Sequence, residues 1–309
     1  MLIDKKAHDI PRGLLGLRGF LAVARNKSFS KAASKEGLSQ SAISQQVDAL
    51  ETSLGTTLFS PRTGKIKLTP DGEILLRFGA PLYENIRTLK ERFDEARGKA
   101  SSAEIKIAAF GSVMAYLLPN VVWSFKDKFP NCKLSILSRS RKDILTMVND
   151  GDVHIGIGSF TTVPHGMKYK VFARFNRMLI ARKGHPLSEK RDISPKEISS
   201  YSLIVPPRGS NTREEIDRAF DKKRIKYTTA MEIVGHEAIK TYVAMDLGVS
   251  IMNKYYLDES DKEKLFVKDV SNHFGSAERG IIRKKKGYFP GPAEEFVAML
   301  LTKFKSHRT

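Results

Sequence analysis

The sequence predicts an α+β multidomain chain. It has an N-terminal winged helix-turn-helix, a long linker helix and a C-terminal α/β region built as two lobes. Three observations carry this reading. Apolar residues recur at helical spacing between Leu17 and Leu54 and leave a short polar face. A second helical seam runs from Leu75 to Phe93. From Glu104 onward, short β-rich runs alternate with amphipathic helical segments.

In the first unit Leu17, Phe20, Leu21 and Val23 mark one helix, and Phe29 to Lys35 gives a short second one. Gly37 breaks that helix, and Ser39 is placed to cap the next. Ala32 and Ala33 are small enough for two helices to cross closely. In the third helix Ile43, Val47, Leu50 and Leu54 fall in one stripe at about 100° per residue, which should face the core. Ser41, Ser44, Gln45 and Asp48 fall opposite, with Gln40 at the flank. This spacing is that of a helix pair whose second member lies in a DNA groove. Gln can bond an adenine edge twice, and Ser can donate or accept. A merely solvated amphipathic helix has the same pattern, so the window by itself leaves both readings open.

Beyond Leu54-Gly55, the stretch Ser60-Pro61-Arg62-Thr63-Gly64-Lys65-Ile66-Lys67-Leu68-Thr69 reads as a hairpin turning at Thr63-Gly64. Arg62, Lys65 and Lys67 project from it. A basic hairpin beside a reading helix is a wing suited to phosphates; on its own it is also an ordinary surface turn.

With these residues together, the chain resembles the LysR-type transcriptional regulators. The resemblance runs through Phe20, Ser28-Phe29-Ser30, Ala32-Ala33, Leu38-Ser39-Gln40-Ser41-Ala42, Ser44, Leu50-Glu51, Leu54-Gly55, Leu58-Phe59, Leu68-Thr69 and Gly72. It implies DNA contacts from Ser39, Gln40, Ser41, Ser44, Gln45, Asp48, Arg62, Lys65 and Lys67. The expected target is double-stranded promoter DNA with paired half-sites, and RNA polymerase is an expected partner there. Pro61 departs from the family, which usually carries Arg at that place, so Arg62 is expected to take over a phosphate contact. No family role attaches to Met1 to Pro11.

The linker begins with Thr69 as cap, Pro70 at the first helical position, and Asp71 and Glu73 at the positive end of the dipole. Leu75, Phe78, Leu82, Ile86, Leu89, Phe93 and Ala96 then form a seam of about three heptads, with Pro81 expected to kink it or open it locally. A helix packed on its own domain is the alternative. The resemblance implies a dimerising helix through Leu75, Phe78, Leu82, Ile86, Leu89 and Phe93, in a homodimer or homotetramer. Gly98 to Ser102 reads as a hinge. The expected domains are 1–69, 70–102 and 103–309, with lobe 1 at about 103–172 and 274–309 and lobe 2 at about 173–273.

Beyond the hinge, strands are expected at Ile105 to Phe110, Lys133 to Leu137, Val153 to Ile157, Arg177 to Arg182, Ser202 to Val205, Met231 to Val234, Val249 to Met252 and Arg279 to Arg283. Helices are expected at Met114 to Phe129, at Lys142 to Val148, from Thr212, from Glu237 and at Pro292 to Phe304. The alternation predicts a largely parallel sheet. Leu117-Leu-Pro119, Gly151-Asp152, His185-Pro186-Leu187 and Ile239 to Val243 before Leu247-Gly248 resemble the family's effector-binding domain, two lobes like a periplasmic binding protein. Its ligand should sit between the lobes, at strand ends and helix starts. Ser112, Arg139, Arg141, Ser210, Asn211, Thr212 and His236 are the candidate contacts, and an anionic metabolite is the expected effector. Capping is the plain alternative for Ser112 and for Ser210 to Thr212, where Asn211 and Glu214 fit a capping box.

Composition agrees. The formal charge is +19, and residues 1–70 hold 11 basic against 5 acidic side chains; such a balance suits a polyanion or an acidic membrane surface. A single cysteine, Cys132, excludes an internal disulfide framework and any cysteine-based metal cage. No apolar run reaches the ~20 residues of a membrane span, and the start lacks a signal peptide's apolar core, so a cytoplasmic location is expected. No phosphate loop, no metal-spaced histidine pair and no nucleophile elbow occurs, so neither an enzyme nor a metal or cofactor is expected. Two rival functions stay open at this level: a non-specific architectural DNA binder, and a cytoplasmic small-molecule binder whose N-terminal helices only dimerise.

Overall fold

In a computed structural model, residues 10–60, 66–97 and 104–307 are described. Helices α1 (Ile10–Asn26), α2 (Phe29–Glu36) and α3 (Gln40–Leu54) enclose Phe20, Leu21, Val23, Ala32, Ala33, Ile43, Val47 and Leu50, all buried. Ser28 caps α2 and Gly37 ends it in the left-handed region at φ 68°. The hydroxyl of Ser39 then accepts from the Ala42 N–H at 3.1 Å and starts α3. Gly16 and Gly19 let α1 lie against α3; a Cβ on Gly16 would stand 2.6 Å from the Gln46 carbonyl oxygen. Leu54, expected in the core stripe, is 48% exposed. The helix ends there at Gly55, and Leu58 and Phe59 fill the core in its place.

Glu51 sits among the apolar residues of this core, and its Oε1 accepts from the Leu58 N–H at 2.6 Å and the Phe59 N–H at 3.4 Å. The carboxylate so fixes the chain as it leaves α3 for β1 (Phe59–Ser60), which pairs antiparallel with β2 (Lys67–Leu68). The turn with Pro61, Arg62 and Lys65 lies outside the described residues.

Helix α4 (Pro70–Arg87) starts at Thr69, whose hydroxyl accepts from the Gly72 N–H at 3.0 Å. A Cβ on Gly72 would meet the Leu58 carbonyl at 2.3 Å, so glycine is required for α4 to touch the wing. The expected single continuous seam is corrected here. The helix continues through Pro81 and ends at Thr88, whose hydroxyl donates to the Glu84 carbonyl at 2.9 Å, and α5 (Leu89–Ala96) comes next. Leu75 also leaves the proposed dimer seam: with Leu76, Ala80 and Tyr83 it packs on the N-terminal core, because Gly79 brings α4 down on Leu17. Phe78, Leu82, Ile86, Leu89 and Phe93 remain exposed. The hinge at Gly98 to Ser102 lies outside the described residues.

The C-terminal part runs β3 (Glu104–Ala109), α6 (Gly111–Tyr116), α7 (Pro119–Lys128), β4 (Lys133–Ser138), α8 (Arg141–Asp150), β5 (Ile155–Gly158) and β6 (Met167–Arg182). Next in order are α9 (Pro195–Ser199), β7 (Leu203–Val205), α10 (Asn211–Lys222), β8 (Thr229–Glu232), α11 (His236–Ala244) and β9 (Ser250–Asn253). The chain closes with β10 (Leu265–Asp269), α12 (Ser271–Phe274), β11 (Ser276–Lys284) and α13 (Gly291–Lys303). One helix was expected from Met114 to Phe129; two form, because Pro119 cannot continue α6 and starts α7 instead.

The main sheet has the order β10-β6-β11-β5-β3-β4, with β9 also on β6, while β7 and β8 form their own pair. Among the described strand pairs, β3–β4, β3–β5 and β7–β8 are parallel and the others antiparallel. The expectation of a largely parallel sheet is therefore corrected to a mixed one. Its antiparallel half comes from β6 and the returning β11, which need no crossover helix between them. Strand β6 begins ten residues before the expected Arg177 and serves two cores. Phe172 and Ala173 join Ile105, Ile107, Phe125 and Phe296 in lobe 1; Leu179 and Ala181 join Leu203, Phe220 and Ile251 in lobe 2.

Glu51→Ala should destabilise the N-terminal unit by about 2 kcal/mol, since buried N–H groups lose their acceptor. Glu51→Gln keeps an acceptor oxygen and should lose less than half of that. Urea unfolding followed by far-UV circular dichroism checks both.

Candidate DNA-reading face and ligand cleft

With Ile43, Val47 and Leu50 held inward, α3 presents Ser39, Gln40, Ser41, Gln45 and Asp48 outward, and Ser44 is half-buried. Not all of them are equally free to meet a base edge. The Ser39 hydroxyl is committed to capping and lies 2.9 Å from that of Ser41, and Gln40 Oε1 accepts from the Ser30 hydroxyl at 2.6 Å. Gln45 has no hydrogen-bond partner among the described residues. Lys67 is exposed on β2, opposite Ser60 of β1; Arg62 and Lys65 lie outside the described residues.

The second concavity is a cleft of about 780 Å³ between the two lobes, within the range of small-molecule sites. Helices α8, α10 and α11 begin at its walls, so three sets of N-terminal amides and dipoles point toward it. Ser112, Arg141, Ser210, Asn211, Thr212 and His236 all line it. Arg139 does not. It is exposed just past the end of β4, donates to the Ser138 carbonyl at 2.8 Å and is not among the lining residues, so it leaves the candidate set.

The capping box expected from Asn211 and Glu214 is also corrected. Ser210 is the cap, accepting from the Arg213 N–H at 3.3 Å. Asn211 is thereby released, and its amide oxygen accepts from the Arg141 guanidinium across the cleft. A second bridge between the lobes is made by the Tyr116 hydroxyl, which donates to Glu237 Oε1 at 2.7 Å.

Two functional neighbours went unread in the sequence. Arg279 on β11 lines the cleft while only 6% exposed, and donates to the Tyr255 hydroxyl at 2.7 and 3.1 Å. Tyr256 lines it too, and His236 stacks on that ring with centroids 3.4 Å apart. The register of residues 276–284 could have placed Arg279 on an inner face, had the strand's start been known. Burial, and then the charge of Arg279, hold the His236 pKa down to about 4.

Helix α8 also connects the cleft with the N-terminal unit. Its first residue, Arg141, faces lobe 2; at its other end Gly151 closes the helix at φ 75°. There Arg87 at the end of α4 donates to the Gly151 carbonyl at 2.5 Å and to Glu84 Oε1 at 2.8 Å, and Arg25 of α1 lies 3.9 Å from Asp150. His154 stands in this junction. Its Nδ1 accepts from the Lys106 N–H at 3.1 Å, and burial, then Lys106 and Arg87, lower its pKa to about 4. Among the described residues no cluster of His, Cys, Asp and Glu suits a metal ion, and no helix is long and apolar enough to cross a membrane.

Residues 98–305 match the LysR substrate binding domain, and residues 14–73 match the bacterial regulatory helix-turn-helix protein, lysR family. The chain belongs to the LysR family. This LysR-family protein is a transcriptional regulator with a helix-turn-helix DNA-binding domain and a C-terminal effector-binding domain. It is 29% identical over 241 residues to the HTH-type transcriptional activator CmpR of Synechocystis, covering 77% of this chain and 78% of the relative. It is 26% identical over 255 residues to the RuBisCO operon transcriptional regulator of Allochromatium vinosum, covering 82% and 84%. In fold it is similar to a full-length OxyR from Pseudomonas aeruginosa, with a TM-score of 0.64, 21% identity, and coverage of 94% of this chain and 97% of that one.

His154 and His236, the most strongly depressed of the histidines, give this LysR-family regulator a pH signature. Their folded pKa values lie below the ordinary 6.5, so the folded state binds fewer protons between about pH 4 and pH 6.5. Their contribution to stability is complete above about pH 6.5 and is lost as pH falls toward 4. The imidazole resonances of His154 and His236 should therefore stay those of the neutral ring at pH 5.5, as an NMR titration would show.

Proposed function

We propose that this regulator binds paired half-sites in promoter DNA as a homodimer or homotetramer in the cytoplasm, and that an anionic metabolite in the interlobe cleft sets its activity. The observation that carries the DNA half is the outward face of α3, where Ser41 and Gln45 are exposed while Ile43, Val47 and Leu50 opposite are locked in the core. Gln45 and Ser41 read base edges in the major groove, and Lys67, with Arg62 and Lys65, meets phosphates. The exposed stripe Phe78, Leu82, Ile86, Leu89 and Phe93 is the surface for a second copy; an apolar run of this length on a linker helix favours self-association. Two copies would hold two α3 helices at a fixed spacing.

The ligand half rests on the cleft and its cationic, helix-start lining. Ligand that binds one lobe arrangement better than another shifts the population toward it, and a ligand without that preference shifts nothing. Helix α8 is the element through which such a shift reaches DNA: its first residue bridges the cleft to Asn211, and its last turn meets Arg25 and Arg87. Reorientation of the DNA-binding units would then change the spacing or bend of the bound promoter.

The double substitution Ser41→Ala with Gln45→Ala tests the reading. Selection from random duplexes, then fluorescence-anisotropy binding, should show the variant losing about 10- to 100-fold in affinity for the preferred site, on the order of 1–3 kcal/mol. Its binding to unrelated duplex at low salt should stay unchanged. Equal losses on both kinds of DNA would instead support an architectural binder that uses charge alone.

A further inference from the structure

We infer that the effector carries two anionic groups, one meeting Arg279 on the cleft floor and the other meeting Arg141 and Lys142 at its mouth. The inference rests on the reading of the cleft as the effector site and goes beyond it, by naming the ligand's charge pattern. The charged side chains that line the cleft are Arg141, Lys142, Arg279 and Glu214. Two positive charges therefore remain when Glu214 is set against one cation.

Arg279 is the decisive one. A guanidinium this deeply buried normally has a carboxylate partner, because an uncompensated charge away from water is costly. Among the described residues none lies within ion-pair distance of Arg279. Its partners are the Tyr255 hydroxyl, the Glu278 carbonyl at 2.7 Å and the Tyr256 hydroxyl, all of them neutral. Tyr255 in turn donates to the Tyr256 hydroxyl at 2.7 Å, so the network behind Arg279 holds no negative charge. Near it stands Arg177, 2% exposed, whose own charge is met by the Glu215 carboxylate. Glu215 pairs with Arg177 and is not available to Arg279, and Nη1 of Arg177 has no partner. The floor thus presents a buried cation with one open direction, into the cleft.

The mouth repeats the pattern. Among the described residues the Arg141 side chain bonds only to the neutral amide of Asn211, and its Nε is buried without a partner there. Lys142 is exposed beside it. The lining also carries the apolar side chains of Phe110, Leu145, Pro206, Ile233 and Ile239 among uncharged polar ones such as Ser112, Thr146 and Thr212. Such a lining fits an organic dianion with an uncharged middle: a dicarboxylate, or a carboxylate with a phosphate or sulfonate at its other end. A guanidinium is suited to all of these, since its fork matches their paired oxygens.

The test uses the full-length protein and calorimetric titration with matched probes at constant ionic strength: the dicarboxylates from malonate to adipate and 2-phosphoglycolate, against the monocarboxylates from acetate to hexanoate. At least one dianion should bind ten-fold or more tighter than its monoanionic match. Arg279→Gln should bring that dianion down to the monoanion's affinity, and Arg279→Lys should keep part of the difference, with near-UV circular dichroism confirming that each variant is folded. Dianions that bind no better than monoanions, or not at all, overturn the inference, as does a folded Arg279→Gln protein with unchanged preference. Thr212→Trp, which obstructs the cleft, separates the two levels. Dianion binding that survives it would contradict the cleft as the site; binding lost there but kept in Arg279→Gln would contradict the charge pattern alone.

Discussion

The seating of α3 is the constraint on which the rest depends. Its polar face is available to DNA only because Ile43, Val47 and Leu50 are held against α1 and α2, with Gly16 and Gly19 removing the side chains that would keep α1 away. Glu51 then fixes the segment that leaves the helix. By accepting the Leu58 and Phe59 N–H groups, its carboxylate ties the start of the wing to the reading helix. Gly72 brings α4 onto the same Leu58 carbonyl. Helix α3, the start of β1 and helix α4 are thus held to one another through the Leu58–Phe59 segment.

The C-terminal half is organised by two strands that pass between lobes. Strand β6 gives Phe172 to one core and Leu179 to the other, and β11 pairs along most of its length. Because both lobes share these strands, relative motion is restricted to bending near them, which is where Arg177 and Arg279 lie. The cleft opens opposite, and α8 runs from its wall to the junction with α1 and α4. At about 1.5 Å per residue this helix is roughly 15 Å long, a short lever between a ligand and the DNA-reading piece. The contacts at the junction are few and polar, as a joint that must rearrange requires.

Much of this was legible in the sequence where a local rule decides the outcome. Caps at Ser39 and Thr69, the left-handed stop at Gly37 and the inward stripe of Ile43, Val47 and Leu50 are set by nearest neighbours. The cleft residues were found by asking which helix starts come after strands, and that rule failed at Arg139, where one step past the strand end turns the side chain to solvent. Leu54 and Leu75 misled for a related reason: helical spacing gives a face but not how far along the helix a partner extends. The mixed sheet escaped detection because polar residues at Lys168, Lys170 and Arg174 interrupt the apolar pattern of β6. Arg279 and Glu51 were the deepest omissions. Each is a charged residue inside a core, and only tertiary contacts reveal why it is tolerated there.

Reading of DNA sequence through α3 is tested most directly with sheared genomic DNA, passed over the purified full-length protein at physiological salt and sequenced where it is retained. A small number of sharp peaks that share a motif of two half-sites in fixed register is the expected result. Recovery spread over the genome without a motif, and abolished by a modest rise in salt, would contradict sequence reading by this helix.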